Sequence, residues 1–235
     1  MIAMVKAAEA VGLDAIAITD TVGADIREPE RRLAEIQQAA ERSTVAVIAG
    51  AECTILDSEG RMNLPPHAEE IFPLVLTSIS ECTLGIGREV PASHSRLLDN
   101  VFGALSAVVR SGRVRVLAEP FNFGRFLAPL SPSDLPRAHL RDLARLMVKH
   151  EVALELSARA WWWHPSLSVA EFERAWTPVL ALFGSENVKF VAGTGARSAI
   201  EVGNNTFTRR LMRLSGVELS QVVNLRSLAG RRRAT

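Results

Sequence analysis

The sequence is poor in the features that mark several common protein classes. Its 235 residues include only two cysteines, Cys53 and Cys82, and they show neither the spacing of a disulfide framework nor that of a zinc site. No apolar run reaches the roughly 18 residues that a membrane span needs, and the first residues lack a signal-peptide pattern. We therefore expect a cytoplasmic protein with reduced thiols and no membrane partner.

Histidine is scarce, and net charge is close to zero. No two histidines are spaced at i, i+2 or i+4, which excludes a compact metal-binding motif; they are His67, His94, His139, His150 and His164. A net charge of +1 gives no general reason to expect a nucleic acid. Only the end of the chain is basic, with three arginines at 231–233, and we expect residues 229–235 to be a disordered tail. The alternative for the tail is a weak phosphate contact.

What is present is an alternation of short apolar runs and amphipathic stretches. The apolar runs predict six buried strands, at residues 15–19, 45–49, 73–77, 114–118, 152–156 and 188–192. Predicted helices lie near 1–11, 29–42, 97–110, 140–149, 168–183, 206–214 and 218–228. This order indicates a parallel sheet flanked by helices in one domain over residues 1–228, either a barrel or a doubly wound sheet.

Three stretches carry more specific local expectations. Residues 53–72 are polar and turn-rich, which predicts a hairpin or excursion, and residues 82–96 are predicted to form a loop. Pro178 lies inside a predicted helix that begins with a capping box, so a kink or break is expected there.

In barrels of parallel strands, the reactive side chains lie at the carboxyl ends of the strands. The acidic residues at those positions are Asp20, Glu52 and Glu119, and they are our candidates for catalysis or for binding a metal. Each has a structural alternative: Asp20 caps a turn, and the two glutamates pair with Arg197 or Arg125.

Several segments at these strand ends resemble the PHP (polymerase and histidinol phosphatase) family. The matching segments, in order, are 12–20, 47–52, 116–120, 188–197 and 201–203. The resemblance covers about residues 1–225 and implies a TIM-like (β/α)7-type barrel related to metal-dependent phosphoesterases. The family's first strand, which carries a metal-binding His-x-His pair, has no counterpart here. We therefore expect a barrel that is incomplete at its N-terminus.

The resemblance also implies a depleted set of metal ligands. Thr21, Glu119 and Arg197 stand where the family has histidines, whereas Glu52 and Asp20 are retained. A phosphoesterase site with two or three metals needs many converging ligands, and the fixed charge of Arg197 repels a cation and attracts an anion. We expect no resident cofactor. Mn²⁺, Mg²⁺ or Zn²⁺ on the three carboxylates is the alternative if the site is active.

A second candidate site is a place for an anion or another ligand at the barrel mouth. We assign Arg197, Trp161, His164 and His94 to it. The three consecutive tryptophans at 161–163 follow a strand, which suggests a stacking platform for a base, a sugar or a partner protein. With Arg197 and Arg159 they would form an anion or nucleotide pocket. The alternatives are local packing of the tryptophans and solvated surface histidines.

Three functions follow. The first is a PHP-like domain with weakened or lost catalysis and a role in binding or assembly. The second is a divergent metal-dependent phosphoric ester hydrolase. The third is an RNA-binding barrel subunit, because residues 143–157 and the last helices resemble the PHP-related protein of RNase P. Expected partners are a phosphate-containing small molecule or a nucleic acid, and a second copy of the chain. The copy would cover the opening left by the missing strand, giving a homodimer.

Overall fold

A computed structural model describes residues 1–23 and 28–226 and gives them an α/β fold. Six parallel strands form one sheet, curled into a half-barrel. The strands are β1 (Ala15–Thr21), β2 (Ala46–Asp57), β3 (Leu74–Leu84), β4 (Val116–Leu117), β5 (Ala153–Ser157) and β6 (Phe190–Gly193). Strands adjacent in sequence are adjacent in the sheet, so β1 and β6 are its edges.

Helices connect the strands and pack on the outer face of the sheet. They are α1 (Ile2–Ala10), α2 (Pro29–Ala40), α3 (Ala68–Ile71), α4 (His94–Ser111), α5 (Arg137–Lys149), α6 (Val169–Ser185) and α7 (Thr206–Ser215). Short 3-10 turns lie at Pro132–Asp134, Ala160–Trp163, Ala199–Glu201 and Leu219–Gln221. Within the described ranges, no helix is long and apolar enough to cross a membrane.

Alternation along each strand divides the apolar residues between two cores. On β2, Ala51, Cys53 and Ile55 face the helices and are fully buried in the main core, whereas the residues between them face the inside of the half-barrel. A smaller cluster fills that inside; its members are Ile48, Leu74, Leu76, Val116, Ala118, Ala153 and Val191. We call it the inner cluster. Beyond the inner cluster, toward the carboxyl end of the sheet, the inward-facing side chains are polar.

All six predicted strands are present, and the predicted α/β architecture is confirmed in its coarser form. β1 continues two residues beyond its predicted end, to Thr21, and β4 is only Val116–Leu117 of the predicted 114–118. β2 and β3 are much longer than predicted. β2 continues to Asp57, where Ile55 forms an antiparallel bridge with Met62, so the predicted excursion at 53–72 begins inside the strand. β3 reaches Leu84 and α4 begins at His94, which shortens the predicted loop at 82–96. Alternating polar residues hid these extensions from a search for apolar runs.

Two expectations about helices need correction. α6 runs through Pro178 without a break, and a kink, the other form of this expectation, stays a prediction. The buried face of this helix, with Trp176, Val179 and Leu180, compensates for the hydrogen bond that proline cannot make. Of the last predicted helix, 218–228, the described residues form a 3-10 turn at Leu219–Gln221, an extended segment at 222–224 and helical residues at 225–226. Residues 227–228 and the predicted tail at 229–235 lie outside the described residues.

The opening between β1 and β6 is crossed by residues 222–226, which we call the C-terminal strap. At β6, the strap forms a parallel bridge, and the N–H of Val223 donates to the carbonyl of Phe190 at 2.8 Å. At β1, the guanidinium of Arg226 donates to the carbonyl of Asp14 at 3.1 Å. The strap therefore links the two edge strands at the amino-terminal end of the sheet.

The strap also covers the inner cluster, because Val223 and Leu225 pack against it. A second contact across the opening joins α1 to the turn at Ala199–Glu201. There Gly203 lies so close to Val11 that an added Cβ would stand 2.8 Å from its Cγ2. Parts of the same chain thus fill some of the opening between β1 and β6. The homodimer across this opening stays a prediction.

We expect Val223→Asp to lower the free energy of unfolding by about 2 kcal/mol, because a carboxylate would be placed against the inner cluster. Leu219→Asp is the matched control, since Leu219 is 82% exposed, and its effect should stay below about 0.5 kcal/mol. Urea denaturation of both variants gives the comparison. Equal effects would contradict packing of the strap.

Candidate functional site

Three glutamates meet on the inner face of the half-barrel, just beyond the inner cluster. Glu52 lies on β2 opposite the end of β1, Glu119 follows β4, and Glu155 lies on β5. Each is partly buried, and each carboxylate lies within electrostatic range of the other two. These three residues form what we call the glutamate cluster.

Glu52 is held by a neighbouring strand. The hydroxyl of Ser78 on β3 donates to its Oε1 at 2.9 Å. The pairing of β2 with β3 brings Thr54 beside Ser78, and the inner face of both strands is polar at this level. Glu52 is therefore oriented by a neutral donor. It forms an ion pair with neither Arg197 nor Arg125, the two partners that the sequence suggested.

Glu119 is held by a hydroxyl group and by its own backbone. Its carboxylate accepts a hydrogen bond from the hydroxyl of Ser157, and the side chains of Trp163 and Asn122 lie close enough to lower its pKa. Its backbone lies in the left-handed region, with φ at 41°, which is unfavourable for a residue with a side chain. The Ser157 hydroxyl and the constrained backbone orient this carboxylate, and Arg125 is not among its partners.

Glu155 is the site residue that sequence reasoning missed. It lies within the apolar run of β5, and its Oε2 accepts the backbone N–H of Glu119 at 3.2 Å. On β6, Gly193 leaves the necessary room, because an added Cβ would stand 1.8 Å from Oε1 of Glu155. The available signal was a charged residue at an inward position of an otherwise apolar strand.

Enclosure raises the pKa of all three carboxyl groups. Desolvation is the largest cause in each case. Repulsion from Glu119 adds to the rise of the pKa of Glu52, and repulsion from both neighbours adds to that of Glu155, whose pKa lies well above its ordinary value. The hydrogen bonds from Ser78 and Ser157 oppose the rise at Glu52 and Glu119. Enclosure therefore shifts each of these carboxyl groups toward its protonated form.

Two arginines place positive charge near the cluster. Arg197 lowers the pKa of Glu52, and Arg159 lowers that of Glu119, in both cases against the larger effect of desolvation. The guanidinium of Arg159 pairs with Glu201 and lies 5.0 Å from the ring centre of Trp162. Arg197 is exposed and forms no ion pair with any residue in the described ranges.

Asp20 is not brought to the cluster. It pairs in register with Ala51, whose side chain faces the helices, so Asp20 lies on the outer side of the sheet. Its carboxylate accepts a hydrogen bond from Nε of Arg32 on α2 at 2.7 Å. Asp20 thus anchors a helix, which differs from both the ligand role and the turn-capping role considered from the sequence.

The residues predicted for an anion site are dispersed. His164 is buried, with its ring 5.2 Å from that of Phe172, and desolvation lowers its pKa. His94 is exposed at the start of α4. Trp161 packs against the main core and beside Phe207. Of the predicted set, Arg197 alone lies exposed beside the glutamate cluster, and Trp162 is the exposed tryptophan.

The metal-binding set of the PHP family does not fit this interior. Within the described residues, no group of three or more His, Cys, Asp or Glu side chains is arranged to hold a metal ion. All five histidines are described, and none of them hydrogen-bonds to a glutamate of the cluster. The oxygens that remain are carboxylates whose pKa values are raised, beside arginine charges.

An α/β half-barrel with an acidic interior is the class that fold and site define. No protein-family model matches the sequence, and the comparison with curated proteins gives no match. The fold is similar to a chain in the cryo-EM structure of archaeal ribonuclease P with mature tRNA. The TM-score is 0.57 at 16% identity, over 92% of this chain and 85% of that one.

The fold is also similar to the crystal structure of hisK from Listeria monocytogenes, a protein assigned as a histidinol phosphatase. Here the TM-score is 0.56 at 11% identity, over 88% of this chain and 92% of that one. Identities this low show the fold alone. They support the PHP-like shape expected from the sequence, and the activity has to be argued from the site.

We expect Glu155→Gln to stabilise the protein at pH 8 and to have little effect near pH 5. The raised pKa of Glu155 means that folding favours its protonated form. That stabilisation is complete below the pKa of the unfolded chain and is lost as pH rises through the folded pKa. The neutral amide avoids this loss.

Urea unfolding of both proteins between pH 5 and pH 8 measures the difference. Glu30→Gln on the exposed side of α2 is the control, and its difference from the wild type should not grow with pH. A constant difference for Glu155→Gln would contradict a raised pKa.

Proposed function

We propose that this chain is a degenerate PHP-like domain that acts by binding, as part of an assembly, with its phosphoesterase chemistry weakened or lost. The observation that carries the proposal is the way the glutamate cluster is engaged. Glu52 accepts from Ser78, Glu119 accepts from Ser157, and Glu155 accepts the N–H of Glu119. None of these partners is a histidine, so the cluster lacks the imidazole ligands that the family uses to hold its metals.

Protonation opposes metal binding as well. Carboxylate ligands must be ionised to bind a metal, whereas enclosure favours the neutral forms of Glu52, Glu119 and Glu155. Positive charge on Arg197 repels a cation at the same place. A hydrolase of this family needs a metal to activate water and to hold phosphate oxygens. The side chains of this interior favour neither task.

A second candidate is a protein subunit of a ribonucleoprotein, which the likeness to the archaeal ribonuclease P chain favours. Basic residues recur every fourth position along α5; they are Arg137, Arg141, Arg145 and Lys149, and they span about 18 Å. Glu186 accepts hydrogen bonds from Arg141 at 3.1 Å and from Arg145 at 3.0 Å, which neutralises part of this row. Such a subunit would make few phosphate contacts.

Metal content tests the main proposal. After dialysis against Mn²⁺ and Zn²⁺ and then against buffer, we expect elemental analysis to find far less than one equivalent. Hydrolysis of p-nitrophenyl phosphate should not increase with Mn²⁺. Retention of a full equivalent by the wild type and by Glu59→Ala, which changes an exposed residue, with loss in Glu52→Ala, would instead establish a divergent metal-dependent phosphoesterase.

Salt-dependent binding of tRNA tests the second candidate. We expect filter-retained binding at 50 mM salt that falls about tenfold at 200 mM salt, as two phosphate contacts would give. Arg137→Gln should reduce both the affinity and its salt dependence, because Arg137 is an exposed member of the row on α5. Absence of binding at 50 mM salt would rule out the ribonucleoprotein role and leave binding of a protein or a small molecule.

A further inference from the structure

Trp162 presents an indole that is fixed in place and still open to solvent. The residue is 46% exposed. Trp161 stands perpendicular to it with ring centres 5.8 Å apart, and the guanidinium carbon of Arg159 lies 5.0 Å from its ring centre. An aromatic ring held by its neighbours loses little entropy when a ligand stacks on its open surface.

Arg159 is itself held by contacts on two sides. Its guanidinium pairs with the carboxylate of Glu201. Its Cδ packs closely over Gly195, since an added Cβ at that glycine would stand 3.2 Å from it. Gly195 has a φ of 56°, a conformation that favours glycine. The arginine that covers part of the Trp162 ring is thus a fixed part of the surface.

The same carboxylate brings a second arginine to this place. Glu201 accepts the backbone N–H of Arg197 at 2.7 Å, while its other oxygen holds Arg159. The backbone of Arg197 and the guanidinium of Arg159, which covers Trp162, therefore contact the same carboxylate. Its own guanidinium is exposed and has no ion-pair partner among the described residues. A free guanidinium can bind a phosphate through two hydrogen bonds.

We propose that Trp162 and Arg197 form a nucleotide-binding site on the rim of the half-barrel. The base stacks on Trp162, and the phosphate pairs with Arg197. A partly exposed aromatic ring and a cation without an ion-pair partner, connected through Glu201 and Arg159, match a ligand with one ring system and one anionic group. This inference rests on the proposed binding role and specifies its ligand class. It replaces the predicted set of Trp161, His94 and His164, which the fold places elsewhere.

Calorimetric titration with adenosine 5′-monophosphate and with a five-nucleotide oligoadenylate RNA tests this site. We expect Trp162→Ala to weaken binding of both about tenfold, as loss of one stacked base would, and Trp162→Phe to retain most of the affinity. Arg197→Gln should weaken binding similarly and reduce the salt dependence by about one phosphate contact. Arg213→Gln on α7 changes another exposed arginine and should leave binding unchanged.

The two probes separate the sources of the nucleotide. Equal affinity for both would support a site for a free nucleotide, and binding of the oligonucleotide alone would support recognition within RNA. Absence of heat with either probe at millimolar concentration, or binding that Trp162→Ala and Arg197→Gln leave unchanged, would overturn the inference. If the nucleotide inference fails but the protein retains no metal and shows no hydrolysis, the proposed binding role still stands. Retained metal together with hydrolysis would instead refute the binding role itself.

Discussion

Desolvation of three carboxyl groups inside one half-barrel is the constraint on which the rest of the site depends. Glu52, Glu119 and Glu155 repel one another when ionised, and the strands around them give little access to water. The surroundings offset this cost with hydroxyl and backbone donors. They also provide the space left by Gly193 and the unusual backbone of Glu119. Each of these features would be unfavourable or unnecessary without the cluster.

The same constraint bears on metal binding. A metal binds carboxylates as anions, whereas desolvation raises the pKa of all three groups and so disfavours their ionised forms. Positive charge stands at the rim, on Arg159 and Arg197, where it attracts anions and disfavours cations. The likeness in fold to a protein assigned as a histidinol phosphatase is therefore compatible with a different use of the barrel mouth.

Openness of the barrel is the second structural problem, since a sheet with two free edges leaves its interior accessible. Residues 222–226 and the contact of α1 with the turn at Ala199–Glu201 span the gap between those edges. The strap adds only one bridge to β6, so most of the edge of β1 has no strand beside it within the described residues. The chain thus covers its inner cluster with little added strand pairing.

The sequence by itself determined the order of helices and strands, because the spacing of apolar residues is a local property. It also identified Glu52 and Glu119, since parallel strands bring their carboxyl ends to one end of a barrel. It could not place Asp20, because a shift of one residue along a strand moves a side chain to the opposite face. Glu155 was missed because the role of a single charged residue in an apolar strand depends on the side chains that neighbouring strands place beside it.

Tertiary structure alone decided which side chains share the interior and in which direction their pKa values shift. Glu119 meets Ser157 and Glu155 across strands that are distant in the chain, and no local pattern records that contact. The pKa of a carboxyl group depends on its distance from water and from other charges. Only packing fixes those distances, as it also fixes which of three consecutive tryptophans stays exposed.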